Sequence, residues 1–143
     1  MLSHMEKSNA EACEAWRLLL KFFFSQRARI PTIAAEFELS PVQCQVLHLV
    51  EPGQPISMRR IAETLACDAS NVTGLVDRLE SRGLVERRSS IEDRRIKVLG
   101  LTRAGSRVRS LLLKRLTQPP DALARLSAEE QRTLARILRR LVV

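Results

Sequence analysis

A mainly α fold with a small β-wing is predicted by three observations. Two short amphipathic helices joined by a tight turn occupy residues 57–82. Two β-prone runs with a polar, arginine-rich middle follow at about 84–101. Helices with broad apolar faces stand at both ends of the chain, at 8–30 and 102–143. At 143 residues the chain is expected to be a single domain. Residues 32–101 would form a winged helix-turn-helix lobe, flanked by N- and C-terminal dimerisation helices.

The second of the paired helices is predicted over 69–82. Asp68 is a good N-cap, because its carboxylate can accept from free backbone N–H groups. Val72, Leu75, Val76 and Leu79 fall at i, i+3, i+4 and i+7, one apolar stripe. The opposite face carries Ser70, Asn71, Thr73, Gly74, Asp77 and Arg78, mostly short polar side chains. Gly74 is a poor helix former, but a missing side chain lets the backbone approach another molecule closely. Gly83 stops the helix, and Leu84 is placed to pack back. The resulting rod is roughly 21 Å long. Ser57 caps the preceding helix, which buries Met58, Ile61, Ala62 and Leu65. Only Ala66 and Cys67 then separate it from Asp68, the helix-turn-helix arrangement. In that arrangement the first helix crosses a DNA backbone, which places Ser57 and Arg59 there, and the second enters the major groove.

After Gly83 the period changes. Residues 84–88 and 96–101 read as strands, and Ser89-Ser90-Ile91-Glu92-Asp93-Arg94-Arg95 as their turn. Arg94 or Arg95 at such a tip can enter a minor groove, where negative potential is strongest over narrow A·T tracts. Asp93 is placed to hold a neighbouring guanidinium, since carboxylate–arginine pairs are often bidentate. Arg87, Arg88, Lys97 and Arg78 are expected to meet phosphates. Ser70, Asn71 and Thr73 are expected to reach base edges with hydroxyl and amide groups. The competing reading is a solvated charged hairpin on an ordinary small α+β domain.

Outside this unit the signals are helical. Ala12, Ala15, Trp16, Leu19, Leu20, Phe23 and Phe24 recur at helical spacing between about Ala10 and Gln26. Pro31 redirects the chain, and a short helix is expected from Thr32 to Glu38. Ser40-Pro41-Val42-Gln43 is a capping box with proline in the first turn. Thr102 caps a long helix bearing Val108, Leu111, Leu112 and Leu116, and Pro119-Pro120 breaks it. Ser127-Ala128-Glu129-Glu130 is a second capping box, ahead of a stripe of Leu134, Ile137, Leu138 and Leu141. Two terminal helices with unmatched apolar faces predict mutual burial in a two-fold dimer. A monomeric intramolecular bundle is the alternative.

Charge narrows the class of partner. The net charge is +8, divided as −1 over 1–56, +3 over 57–103 and +6 over 104–143. Such a balance favours an anionic partner. No run approaches the roughly 18 apolar residues of a membrane span, so no membrane partner is expected. The start lacks the apolar core of a signal peptide. Three cysteines have no paired spacing. A cytoplasmic protein is expected. Nothing marks an enzyme or a cofactor site: there is no Gly-rich phosphate loop, Cys-x-x-Cys or His-Glu-x-x-His. Cys44 and His48, one helical turn apart, would supply two zinc ligands where about four are needed, so no metal site is expected.

The run Val72-Thr73-Gly74-Leu75-Val76-Asp77-Arg78-Leu79-Glu80-Ser81-Arg82-Gly83-Leu84-Val85-Glu86-Arg87 resembles the MarR family of bacterial transcription regulators. Asp93-Arg94-Arg95 and Leu101-Thr102-Arg103-Ala104-Gly105 extend the likeness, which covers nearly the whole chain in order and length. The resemblance implies a homodimer on a palindromic double-stranded operator, and repression relieved by a small molecule or an oxidant. It favours Arg95 as the minor-groove probe with Asp93 as its brace. It places an inducer pocket between the dimer helices and the DNA-binding lobe. There Trp16, Phe23, Cys44 and His48 would contribute, for a flat apolar or aromatic ligand. Some relatives sense peroxides through a cysteine near the start of the first helix, helped by tyrosines. Cys13 stands in a comparable region, but Glu11 and Glu14 flank it and the chain has no tyrosine. A thiol-based oxidant switch, a nonspecific architectural DNA binder and a helical protein-interaction module are the alternatives.

Overall fold

A computed structural model of the chain describes the backbone of residues 2–66 and 69–142, and the side chains of residues 9–66 and 71–142. The elements run α1 (Leu2–Ser25), α2 (Arg29–Glu36), α3 (Pro41–Leu49), β1 (Ile56–Ser57), α4 (Met58–Leu65), α5 (Ala69–Ser81), β2 (Val85–Ser89), β3 (Lys97–Leu101), α6 (Arg103–Thr117), α7 (Asp121–Ala124) and α8 (Ala128–Leu141). This is a mainly helical winged helix-turn-helix architecture. The strands form one antiparallel sheet in the order β1-β3-β2. Arg87 pairs with Leu99 and Glu86 with Gly100 across β2 and β3, and Ile56 pairs with Leu99 across β1 and β3.

Local chemistry sets the helix ends. Ser40 Oγ accepts from the Gln43 N–H at 3.2 Å, while the Ser40 N–H donates to Gln43 Oε1 at 2.8 Å. Ser127 and Glu130 repeat the reciprocal pair, and those bonds hold the Glu130 carboxyl below its ordinary pKa. Ser57 Oγ accepts from the Arg60 N–H at 3.1 Å. Asp68 and Cys67 lie outside the described residues. Gly83 has φ +69°, the left-handed conformation that ends a helix, and the Leu84 N–H returns to the Leu79 carbonyl at 3.0 Å. Helix α2 starts earlier than the sequence suggests. Pro31 sits in its first turn, where a missing N–H costs no helical bond.

The core lies in the lobe between α2 and β3. Val46, Leu47, Val50, Ile61, Val76, Leu79 and Leu99 are fully buried there, and Leu112 of α6 joins them. Among the described residues, none from α1 or α8 belongs to this cluster. Trp16 is 62% exposed, Phe23 68% and Leu141 65%. The stripe read on α6 divides: Leu112 is buried, Val108 and Leu116 pack against the core, and Leu111 is exposed.

Two devices tie the lobe to the later helices. At the first, Thr102 Oγ1 donates to the Gly83 carbonyl at 2.5 Å and accepts from the Gly105 N–H at 3.0 Å. The Thr102 N–H reaches the Leu84 carbonyl at 3.1 Å. Gly105 lies so close to Leu84 that a Cβ would stand 1.7 Å from that carbonyl oxygen. The end of α5, the start of the wing and the start of α6 therefore meet at one joint. At the second, Arg115 donates to Glu36 at 2.8 and 2.5 Å. That hydrogen bond lowers the Glu36 carboxyl from its ordinary pKa and raises Arg115. Arg29 donates to the Gln118 and Arg115 carbonyls beside it.

Candidate nucleic-acid interface

Helix α5 turns one face inward and the other to solvent. Val72, Val76 and Leu79 are buried, whereas Asn71, Thr73, Gly74, Asp77 and Arg78 are exposed. This is the division the apolar spacing predicts, except that Leu75 is half-buried and lies outside the core cluster. The side chain of Ser70 lies outside the described residues. A Cβ added at Gly74 would meet nothing within 4 Å, so no contact inside the protein requires glycine there.

The arginines near this helix do not all face outward. Val85 is buried on β2, and Arg87, two residues on, projects from the same side of the strand toward α5. Its N–H donates to Glu80 Oε2 at 3.0 Å. Its guanidinium donates to the Thr73 carbonyl at 3.2 Å and to Glu80 and Asp77. Arg87 was expected at a phosphate, and Asp77 on the DNA-facing side of α5. In the structure they bind each other, and they fasten the wing to the recognition helix. Arg88 projects to the other side. It pairs with Glu86 at 2.7 Å and lies over Gly100, where an added Cβ would stand 2.8 Å from its Nη2. Arg59 is exposed and paired with Glu63 at 3.0 Å.

The wing loop is held by its own backbone. Asp93 Oδ1 accepts from the Arg95 N–H at 2.9 Å, and the Ile96 N–H donates to the Asp93 carbonyl at 3.0 Å. Asp93 is therefore a brace for the turn and not for a guanidinium, which corrects the sequence reading. Geometry favours this because an Asp side chain easily reaches a backbone N–H two residues on. Arg94 and Arg95 are exposed, and no ion pair holds either among the described residues. Lys97 Nζ donates to Ser89 Oγ at 3.1 Å across the hairpin.

Other arginines cap helices. Arg82 donates to the Glu38 and Phe37 carbonyls beyond α2, at 2.7 and 3.0 Å. Arg109 donates to the Leu47 and His48 carbonyls of α3, at 3.0 and 3.2 Å. Part of the positive charge thus neutralises helix C-terminal dipoles. Sequence reasoning missed Arg82 and Glu80 as positioning groups. Glu80 was in principle findable, because it lies three residues after Asp77 and so on the same side of α5.

The four expected pocket residues separate. Trp16 and Phe23 line a groove of about 500 Å³ on α1, with Leu19, Leu20, Phe22 and Gln26. Cys44 is buried in the lobe core, where desolvation pushes its thiol pKa up. His48 is exposed at the end of α3. Cys13 is exposed on α1, its Sγ 3.9 Å from Asn9 Oδ1. No helix among the described residues is long and apolar enough to cross a membrane.

A recognition helix fastened to an arginine-tipped wing defines a winged helix-turn-helix DNA-binding regulator. A model described as the MarR family matches residues 37–96. The chain is 33% identical over 127 residues to the uncharacterized HTH-type transcriptional regulator YfiV of Bacillus subtilis, spanning 88% of this chain and 79% of that one. It also superposes on wild-type MarR of E. coli with a TM-score of 0.76 at 22% identity, over 89% and 95% of the two chains. A mutant MepR of S. aureus, bound to an oligodeoxyribonucleotide, matches at a TM-score of 0.68 and 19% identity, over 90% and 95%. The chain belongs to the MarR family, whose members are DNA-binding transcriptional regulators and not enzymes.

Proposed function

We propose that this regulator is a homodimeric cytoplasmic repressor that binds a palindromic operator and is released by a small apolar or aromatic ligand. The observation that carries the dimer is the exposed apolar surface of the terminal helices. Trp16, Phe23 and Phe24 on α1 and Ile137, Leu138 and Leu141 on α8 take no part in the core. Exposed apolar surface of that kind marks an interaction site. A two-fold axis through it sets two α5 helices about one DNA turn apart.

Within each half-site, Ser70, Asn71 and Thr73 read base edges, and Gly74 allows close approach. Arg78 and Lys97 meet phosphates. Arg94 and Arg95 enter the minor groove. Arg87 and Asp77 fix the angle between wing and helix. The α1 groove, closed by the partner copy, has the volume of a small-ligand site. Ligand seated there would alter the packing of the two subunits and so the spacing of the recognition helices.

Arg95→Ala tests the wing. The variant is expected to melt like the wild type and to lose about 1–3 kcal/mol of operator affinity. Its salt dependence should fall by about one counterion. An unchanged affinity would remove the wing from the mechanism.

A further inference from the structure

The wing tip presents an isoleucine that the fold does not use. Ile91 is 102% exposed, and Ile96 across the same loop is 46% exposed. Their neighbours are held in place. Ser90 Oγ accepts from the Glu92 N–H at 3.3 Å, and the Ser90 N–H reaches the Ile96 carbonyl at 2.8 Å. With the Asp93 bonds described above, the loop is an ordered turn that displays Ile91 beside Arg94 and Arg95. A β-branched apolar side chain at a fully solvated tip adds nothing to the core, whereas the polar residues on either side suit such a site.

We infer that Ile91 is an apolar contact to the minor groove, packing against the deoxyribose walls while the neighbouring guanidiniums occupy the floor. Sugar walls are rich in C–H groups that an apolar side chain can cover, and minor-groove binding proteins do bring isoleucine and similar residues into that groove, there as wedges between base steps. The inference rests on the operator reading above and assigns it one more residue that contributes affinity. The contact is uncharged, so its contribution is independent of salt, unlike that of Arg95.

The test is a titration of wild type, Ile91→Ala and Ile91→Leu on a duplex that the wild-type chain selects from a randomised pool, at two salt concentrations. Ile91→Ala should bind roughly tenfold more weakly at both, with unchanged salt slope and unchanged melting temperature. Ile91→Leu should retain most of the affinity. Equal affinity for Ile91→Ala and wild type would overturn this inference and leave the operator reading standing. A slope reduced by about one would also overturn it, by showing that an arginine had moved instead. A wild-type chain that selects no sequence would overturn both.

Discussion

Gly105→Ala is expected to destabilise the chain by roughly 3 kcal/mol or more and to abolish operator binding. Helix propensity alone predicts the opposite, since alanine is favoured over glycine within a helix by about 1 kcal/mol. The geometry decides the sign. The new methyl would stand 1.7 Å from the Leu84 carbonyl oxygen. That oxygen belongs to backbone and already accepts the Thr102 N–H, so it cannot move like the end of a flexible side chain. Relief requires α6 to lift from the start of the wing, which breaks the Thr102 bonds to Gly83 and Gly105. Gly74→Ala is the matched control. With open space around it, that variant should gain about 1 kcal/mol of stability while losing operator affinity. Urea midpoints for the two variants check both signs. A Gly105→Ala chain as stable as wild type would contradict the joint.

If the chain is the proposed dimer, Ile137→Glu is expected to make it a monomer and to weaken operator binding on the order of 100-fold. Ile137 is exposed and absent from the lobe core, so the lobe should melt as before. A carboxylate forced into an apolar interface is strongly desolvated. Losing the partner then removes the second recognition helix from the same operator. Sedimentation equilibrium alongside a binding titration separates the two effects. A variant that stays dimeric with full affinity would contradict the assignment of α8 to the interface.

Elements with local chemistry were legible in the sequence. Ser40, Ser57, Thr102 and Ser127 cap where their side chains predict, and Gly83 ends α5 as expected. The division of α5 into inner and outer faces followed from spacing alone. Helix α1 begins well before its apolar stripe, because Leu2 and Met5 are followed only by polar residues up to Ala10 and are too few to establish a period. Strand β1 has two residues and exists by pairing with β3, so no local run announces it. Helix α7 is four residues after a proline pair, below the length at which a period shows.

The candidate site was legible in its residues but less so in their partners. The position of Arg87 was implicit in the two-residue alternation of β2 once Val85 was taken as buried. A charged side chain pointing inward needs a carboxylate waiting for it, and Asp77 and Glu80 come from another element. The Asp93 bond to the Arg95 N–H depends on the turn conformation, which composition does not set. Cys44 was read as a pocket residue, yet it lies on the face of α3 that packs into the lobe.

Specific recognition of an operator can be decided by a single titration. The wild-type chain would be titrated onto its own upstream intergenic DNA and onto a scrambled duplex of equal length, at two salt concentrations. A specific regulator should prefer the native duplex on the order of 10³-fold or more, with affinity falling steeply as salt rises. Equal, salt-sensitive affinity for both duplexes, or binding to neither, would contradict specific recognition.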